Sequence, residues 1–150
     1  MDPRHGYYLE DLSVGMSETM AKTVSAEDIV GFADITGDTN PVHLCQDFAA
    51  GTMFKERIAH GMLSASFISA VLGTRLPGPG CIYLSQSLRF RAPVMIGDHV
   101  EAIATVKEVN PDKRRIVLET ACRVGDKVVV DGEAMLMVAR RETPAVAAAQ

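Results

Sequence analysis

The sequence predicts an α+β fold in which a long antiparallel sheet curls around one buried central helix. Three observations carry that expectation. Residues 61–73 (GMLSASFISAVLG) are apolar on nearly every side of a helix, so this element belongs inside the protein and something must wrap it. Long β-rich segments separated by turn residues fill the second half of the chain and supply the wrapper. The chain has 150 residues, 47% of them hydrophobic, which suits one packed core and is too short for a second large domain.

The elements can be justified in order. The opening residues (MDPRHGYYLED) lack the apolar core of an export signal, and the first dozen read as a lead-in. Residues 16–24 form a first strand. Ser25 then opens a helix, its hydroxyl placed to accept the backbone N–H three residues on, with Glu27 and Asp28 adding negative charge to the first turn. Ile29, Val30, Phe32, Ala33 and Ile35 give this helix its apolar stripe, and Gly37 stops it. Pro41 disfavours helical torsions at Asn40, so 38–40 is a loop, and structure resumes weakly over 47–50. After the apolar helix, strands are expected over 82–91, 99–109, 114–124 and 127–140. The breaks between them hold Pro93 with Gly97-Asp98, Asn110-Pro111-Asp112 and Gly125-Asp126, the last tight enough for a hairpin. Val100, Ala102, Ala104 and Val106 alternate with polar neighbours, one face in and one face out.

Composition excludes several classes. Fifteen basic against nineteen acidic residues give a net charge of −4, which argues against nucleic acid as the main partner. No apolar run approaches the roughly 18 residues of a membrane span. Cys45, Cys81 and Cys122 are an odd set without CxxC spacing, read as free thiols in a reducing cytoplasm rather than disulfides or a zinc site.

Chemistry is expected in 36–43 (TGDTNPVH). Asp38 and His43 lie about 16 Å apart on an extended chain, too far to share a small molecule, but Gly37 and Pro41 are the residue types that turn a chain sharply. A folded loop would bring a carboxylate and an imidazole to one water, a pair suited to general acid–base work. Asn40 could hold the loop or the water. The same residues make a good turn by capping their own backbone, and spacing leaves both readings open. Gly61, in His60-Gly61-Met62, starts the buried helix, where unpartnered N–H groups and the positive dipole end could stabilise an oxyanion. Equally, a glycine there could serve close packing alone.

These residues carry a resemblance. The segments 32–43 (FADITGDTNPVH), 58–63 (IAHGML) and 90–94 (FRAPV) with Gly97-Asp98 resemble, in order, three landmarks of the (R)-specific enoyl-CoA hydratases, the MaoC-like dehydratases with the hot-dog fold. The similarity covers roughly 10–140 and implies one such domain over 1–150; the low-complexity residues 143–150 (TPAVAAAQ) are expected to fray as a flexible tail. It implies that Asp38 and His43 bind and activate water, that Asn40 supports their loop, and that the Gly61 N–H receives the thioester oxygen. Ser69 falls where the family places a serine near the pair. The implied reaction is reversible syn addition of water to a trans-2-enoyl-CoA, for example crotonyl-CoA, giving an (R)-3-hydroxyacyl-CoA. It needs no metal or other cofactor, coenzyme A being part of the substrate. The short length resembles small bacterial members of polyester and acyl-CoA metabolism.

Arg89 and Arg91, with Lys55 and Arg57, are candidates for the coenzyme A phosphates, although a solvated charged face explains each one alone. His5 and His99 receive no chemistry, and Cys45 reads as a small packed side chain without a base. The last strand is apolar on both faces through Met135 and Met137, which suggests cover by a partner subunit. The resemblance implies a homodimer or a higher homo-oligomer of dimers, with no membrane partner. Two other functions stay open, an acyl-CoA thioesterase of the same fold and a non-catalytic acyl-CoA-binding subunit.

Overall fold

The computed structural model describes residues 2–141, so the expected tail at 143–150 lies outside it. Strand β1 (Ser17–Thr23) leads into helix α1 (Ala26–Thr36), and two short helices follow, α2 (Pro41–Leu44) and α3 (Gln46–Ala50). The central helix α4 (Gly61–Thr74) precedes strands β2 (Ile82–Gln86), β3 (Arg89–Phe90), β4 (His99–Asn110), β5 (Arg115–Val124) and β6 (Lys127–Met137). All pairings are antiparallel in the order β1-β4-β5-β6-β2, with β3 also on β6, and α4 packs across one face of this sheet against β1, β4, β5 and β6.

Local chemistry explains the boundaries. Ser25 caps α1 by accepting the Asp28 N–H at 3.1 Å while the Asp28 carboxylate accepts the Ser25 N–H at 2.9 Å, a reciprocal box. At the far end Gly37 adopts φ 80°, the left-handed turn that ends a helix. Val124 and Lys127 face each other across the Gly125-Asp126 turn, so β5 and β6 form the expected hairpin. Val100, Ala102, Ala104 and Val106 are at most 1% exposed and meet Ile68, Val71 and Leu72 of α4 in one core. Truncating Leu72 to alanine there would cost about 2–5 kcal/mol.

Four expectations are corrected. The first dozen residues are packed rather than a lead-in: Leu9 and Leu12 are buried, and the Leu9 N–H donates to the Ala139 carbonyl at 2.9 Å. Two leucines around a single 3-10 turn are too short a pattern to register as periodicity. The stripe on α1 is narrower than expected, for Ile29 and Ala33 are buried while Val30 and Ile35 face solvent. The segment 82–91 is two strands, β2 bulging at Leu84 and the ladder breaking at Ser87-Leu88, where the Ser87 carbonyl enters space that a Cβ at position 132 would occupy and Gly132 leaves it free. Finally, α4 is covered on one side only. Leu63, Ser64, Ala65, Ile68, Val71 and Leu72 are buried, whereas Met62, Ser66 and Ser69 are exposed.

Candidate active site

The loop between α1 and α2 is braced by its own side chains. The Thr36 hydroxyl accepts the Asp38 N–H at 3.2 Å, an Asp38 carboxylate oxygen accepts the Asn40 N–H at 3.2 Å, and the Asn40 side-chain oxygen accepts the Val42 N–H at 3.1 Å. Alternate residues thus satisfy the backbone two positions on, the local bonding that short polar side chains favour outside helices. Asn40 is therefore the N-cap of α2, and Pro41, which lacks an N–H to satisfy, occupies its first position.

One turn of α2 points His43 inward, where it is 8% exposed. Its Nδ1 lies 2.8 Å from the Ile58 carbonyl. A carbonyl only accepts, so Nδ1 carries a proton, and in the neutral ring Nε2 is left with a free lone pair. The Arg57 side chain holds the same helix from outside, its Nε donating to the His43 carbonyl at 2.6 Å. His60, 2% exposed, donates from Nε2 to the Asp38 carbonyl at 2.9 Å and stacks on His43 with ring centroids 3.8 Å apart.

These residues open onto a cleft of about 530 Å³. Asp38, His43, His60 and Gly61 form its polar end, and Met53, Phe54, Ile58, Met62, Phe90, Val94 and Val130 form apolar walls. Gly61 is the first residue of α4, and the His60 side chain makes no capping bond to that turn. The first N–H groups of the helix thus lack side-chain acceptors beside the two titratable groups.

Asp38, His43 and His60 offer one ligand atom each within 4.8 Å, a number that would serve a metal ion. The ring geometry does not. The two imidazole planes are 28° apart and stacked at 3.8 Å, so they meet well beyond the roughly 2.1 Å reach of a metal–nitrogen bond.

The remaining expected site residues fall elsewhere. Asn40 is exposed and occupied with the loop backbone. Ser69 opens into a neighbouring groove with Ser66, Tyr83 and Leu84, whereas Ser64, five residues earlier and on another face of α4, lines the cleft and is 1% exposed. Arg89 lies on the outer face of the sheet, and Arg91, which reaches the edge of the cleft, is paired with Asp131 at 2.6 Å. Lys55 is exposed, and Arg57 is engaged with His43 rather than free for phosphate. His99 bonds the Thr23 hydroxyl at 3.0 Å, and His5 stacks on Tyr8. Cys45 is exposed, not packed, because it forms the joint between α2 and α3, whose buried side chains are His43 and Ala49. Sequence reasoning overlooked His60; its place directly before the helix-opening Gly61 was the available signal.

Residues 14–129 match the model of the MaoC like domain. The chain belongs to the MaoC-like dehydratase family. Among MaoC-like relatives, it is 58% identical over 135 residues to a 3-hydroxybutyryl-CoA dehydratase of Methylorubrum extorquens, covering 90% of this chain and 86% of that protein. It is 56% identical over 135 residues to an (R)-specific enoyl-CoA hydratase of Rhodospirillum rubrum, covering 90% and 94%. The solved (R)-hydratase from A. caviae involved in PHA biosynthesis superposes with a TM-score of 0.84 at 42% identity, over 86% of this chain and 98% of that one. The sheet-wrapped helix is therefore the hot-dog fold of this family. No helix among the described residues is long and apolar enough to cross a membrane.

Proposed function

We propose that this chain is an (R)-specific enoyl-CoA hydratase that adds water reversibly to trans-2-enoyl-CoA thioesters, crotonyl-CoA among them. The observation that carries the proposal is the shared cleft: the Asp38 carboxylate and the free Nε2 of His43 stand beside the uncapped start of α4 at Gly61. Relatives that carry this activity by name, at 56% and 42% identity, support it.

The geometry accounts for each step. A water between Asp38 and His43 gives a proton to the dyad as its oxygen attacks C3. Charge moves through the conjugated system to the thioester oxygen, where the Gly61 N–H and the positive end of α4 stabilise it. The dyad then returns a proton to C2 from the side the water came from, so addition is syn and atoms balance. The reaction asks for no metal or redox group, and coenzyme A is bound as part of the substrate. The apolar walls suit the acyl chain.

A homodimer fits the same picture. Ile82, Tyr83 and Leu84 on the edge strand β2 are 40–55% exposed beside the bare side of α4, an apolar face that a second copy would cover. Free thiols at Cys45, Cys81 and Cys122, together with a coenzyme A thioester as substrate, support a cytoplasmic enzyme.

Crotonyl-CoA tests the reading. Loss of enoyl absorbance without free thiol, with (R)-3-hydroxybutyryl-CoA as product, is the expected result. Thiol release would instead mean hydrolysis, and binding without turnover a non-catalytic subunit; either defeats the proposal.

A further inference from the structure

We infer that His60 is a positioning residue that holds both halves of the dyad at once, an inference that rests on the hydratase reading above. Its Nε2–H donates to the backbone carbonyl of Asp38 at 2.9 Å and so fixes the loop that presents the carboxylate. Its ring lies on the face of His43, centroids 3.8 Å apart and planes 28° from parallel. Phe32 also meets the His60 ring, centroids 4.9 Å apart and planes tilted by 57°. The His60 ring thus covers one face of His43, whose Nδ1 is held by the Ile58 carbonyl.

The cost of the arrangement points the same way. His60 occupies the N-cap of α4 yet makes no capping bond, where serine, aspartate or asparagine would satisfy the first turn. Its Nδ1 is buried and without a hydrogen-bond partner among the described residues. A side chain that forgoes a cap and leaves a buried nitrogen unsatisfied, while touching both members of a catalytic pair, breaks local rules where function is made. Replacement by a capping residue would favour the helix and release the dyad.

Two substitutions separate the contacts. His60→Gln keeps a donor for the Asp38 carbonyl and loses the ring; His60→Phe keeps the ring and loses the donor. Each is expected to lower kcat by about 10- to 100-fold, the scale of a small misplacement of reacting groups, with KM changed less than about twofold. On a His43→Asn background, His60→Gln should lower kcat by no more than about twofold further, because it keeps a donor for Asp38 and the ring on which His60 stacks is gone. The inference is overturned if either single variant keeps kcat within about threefold of the parent, or if the full loss of His60→Gln recurs on the His43→Asn background. Loss of cooperative melting in both variants would make His60 a folding residue and overturn it equally. Ring nitrogen-15 spectra separate this inference from the hydratase reading. The parent should show His43 as a single Nδ1–H tautomer, and His60→Gln a mixture. An unchanged His43 pattern in that variant refutes the inference whatever the protein turns over, while an inactive parent refutes the hydratase reading alone.

Discussion

A methyl group at Gly61 would lie 2.6 Å from Cδ1 of Phe90, closer than packed carbons approach. Phe90 is 55% exposed, so its ring can swing away, and alanine is the better helix former by roughly 0.5–1 kcal/mol. Gly61→Ala is therefore expected to leave the melting temperature within a few degrees while lowering kcat/KM more than about tenfold, because methyl and ring both intrude on the oxyanion position. Adding Phe90→Ala should restore part of the loss. Kinetics and a thermal melt of the two variants decide it, and an active Gly61→Ala enzyme would remove the backbone N–H from the mechanism.

Asp38→Asn preserves the oxygen that accepts the Asn40 N–H, and His43→Asn keeps a donor near the Nδ1 position, so neither is expected to disturb the loop. Both should lower kcat by at least about 100-fold with KM nearly constant. Steady-state hydration of crotonyl-CoA measures this, and near-parental turnover in either would exclude that residue from proton transfer.

Arg57 distinguishes support of the site from substrate binding. Its Nε is committed to the His43 carbonyl at 2.6 Å, so Arg57→Ala should lower kcat by about threefold to tenfold and leave KM unchanged between low and high salt. A rise in KM that shrinks as ionic strength increases would instead reveal a phosphate contact.

The thiols should react in order of burial. Cys45 is exposed, Cys81 half-buried, and Cys122 buried with its ionisation pushed up to about 12 by loss of hydration. Ellman's reagent is expected to titrate one thiol rapidly in the native protein and three in denaturant. Above pH 9 the unfolded Cys122 loses its proton while the folded one keeps it, so the folded state binds more protons and stability falls as pH rises from about 9 toward 12. Cys122→Ala should flatten that alkaline limb in a series of denaturation curves.

Much of this molecule is written in short-range chemistry, and that part was legible. The Ser25 cap, the Gly37 stop, the Gly125-Asp126 hairpin and the alternation from Val100 to Val106 each depend on a few neighbouring residues. What escaped depends on distant partners. The Leu9 anchor is made with Ala139, the break in the strand at Ser87 with Gly132, and the engagement of Arg57 and His60 with His43 and Asp38, 14 and 22 residues earlier in sequence. Ser69 was assigned to the site on a resemblance, whereas in the single chain the helical turn gives that aspect of the cleft to Ser64.

The bracing of the loop has a consequence for what changes it can tolerate. Its acceptors at 36, 38 and 40 serve donors at 38, 40 and 42, so the segment works as a ratchet with a step of two. Deleting or inserting one residue between them would put the step it falls in out of phase and shift the carboxylate relative to the imidazole, even with the side chains at 36, 38, 40 and 43 retained. Substitution can tune this catalyst; a change of length there should silence it.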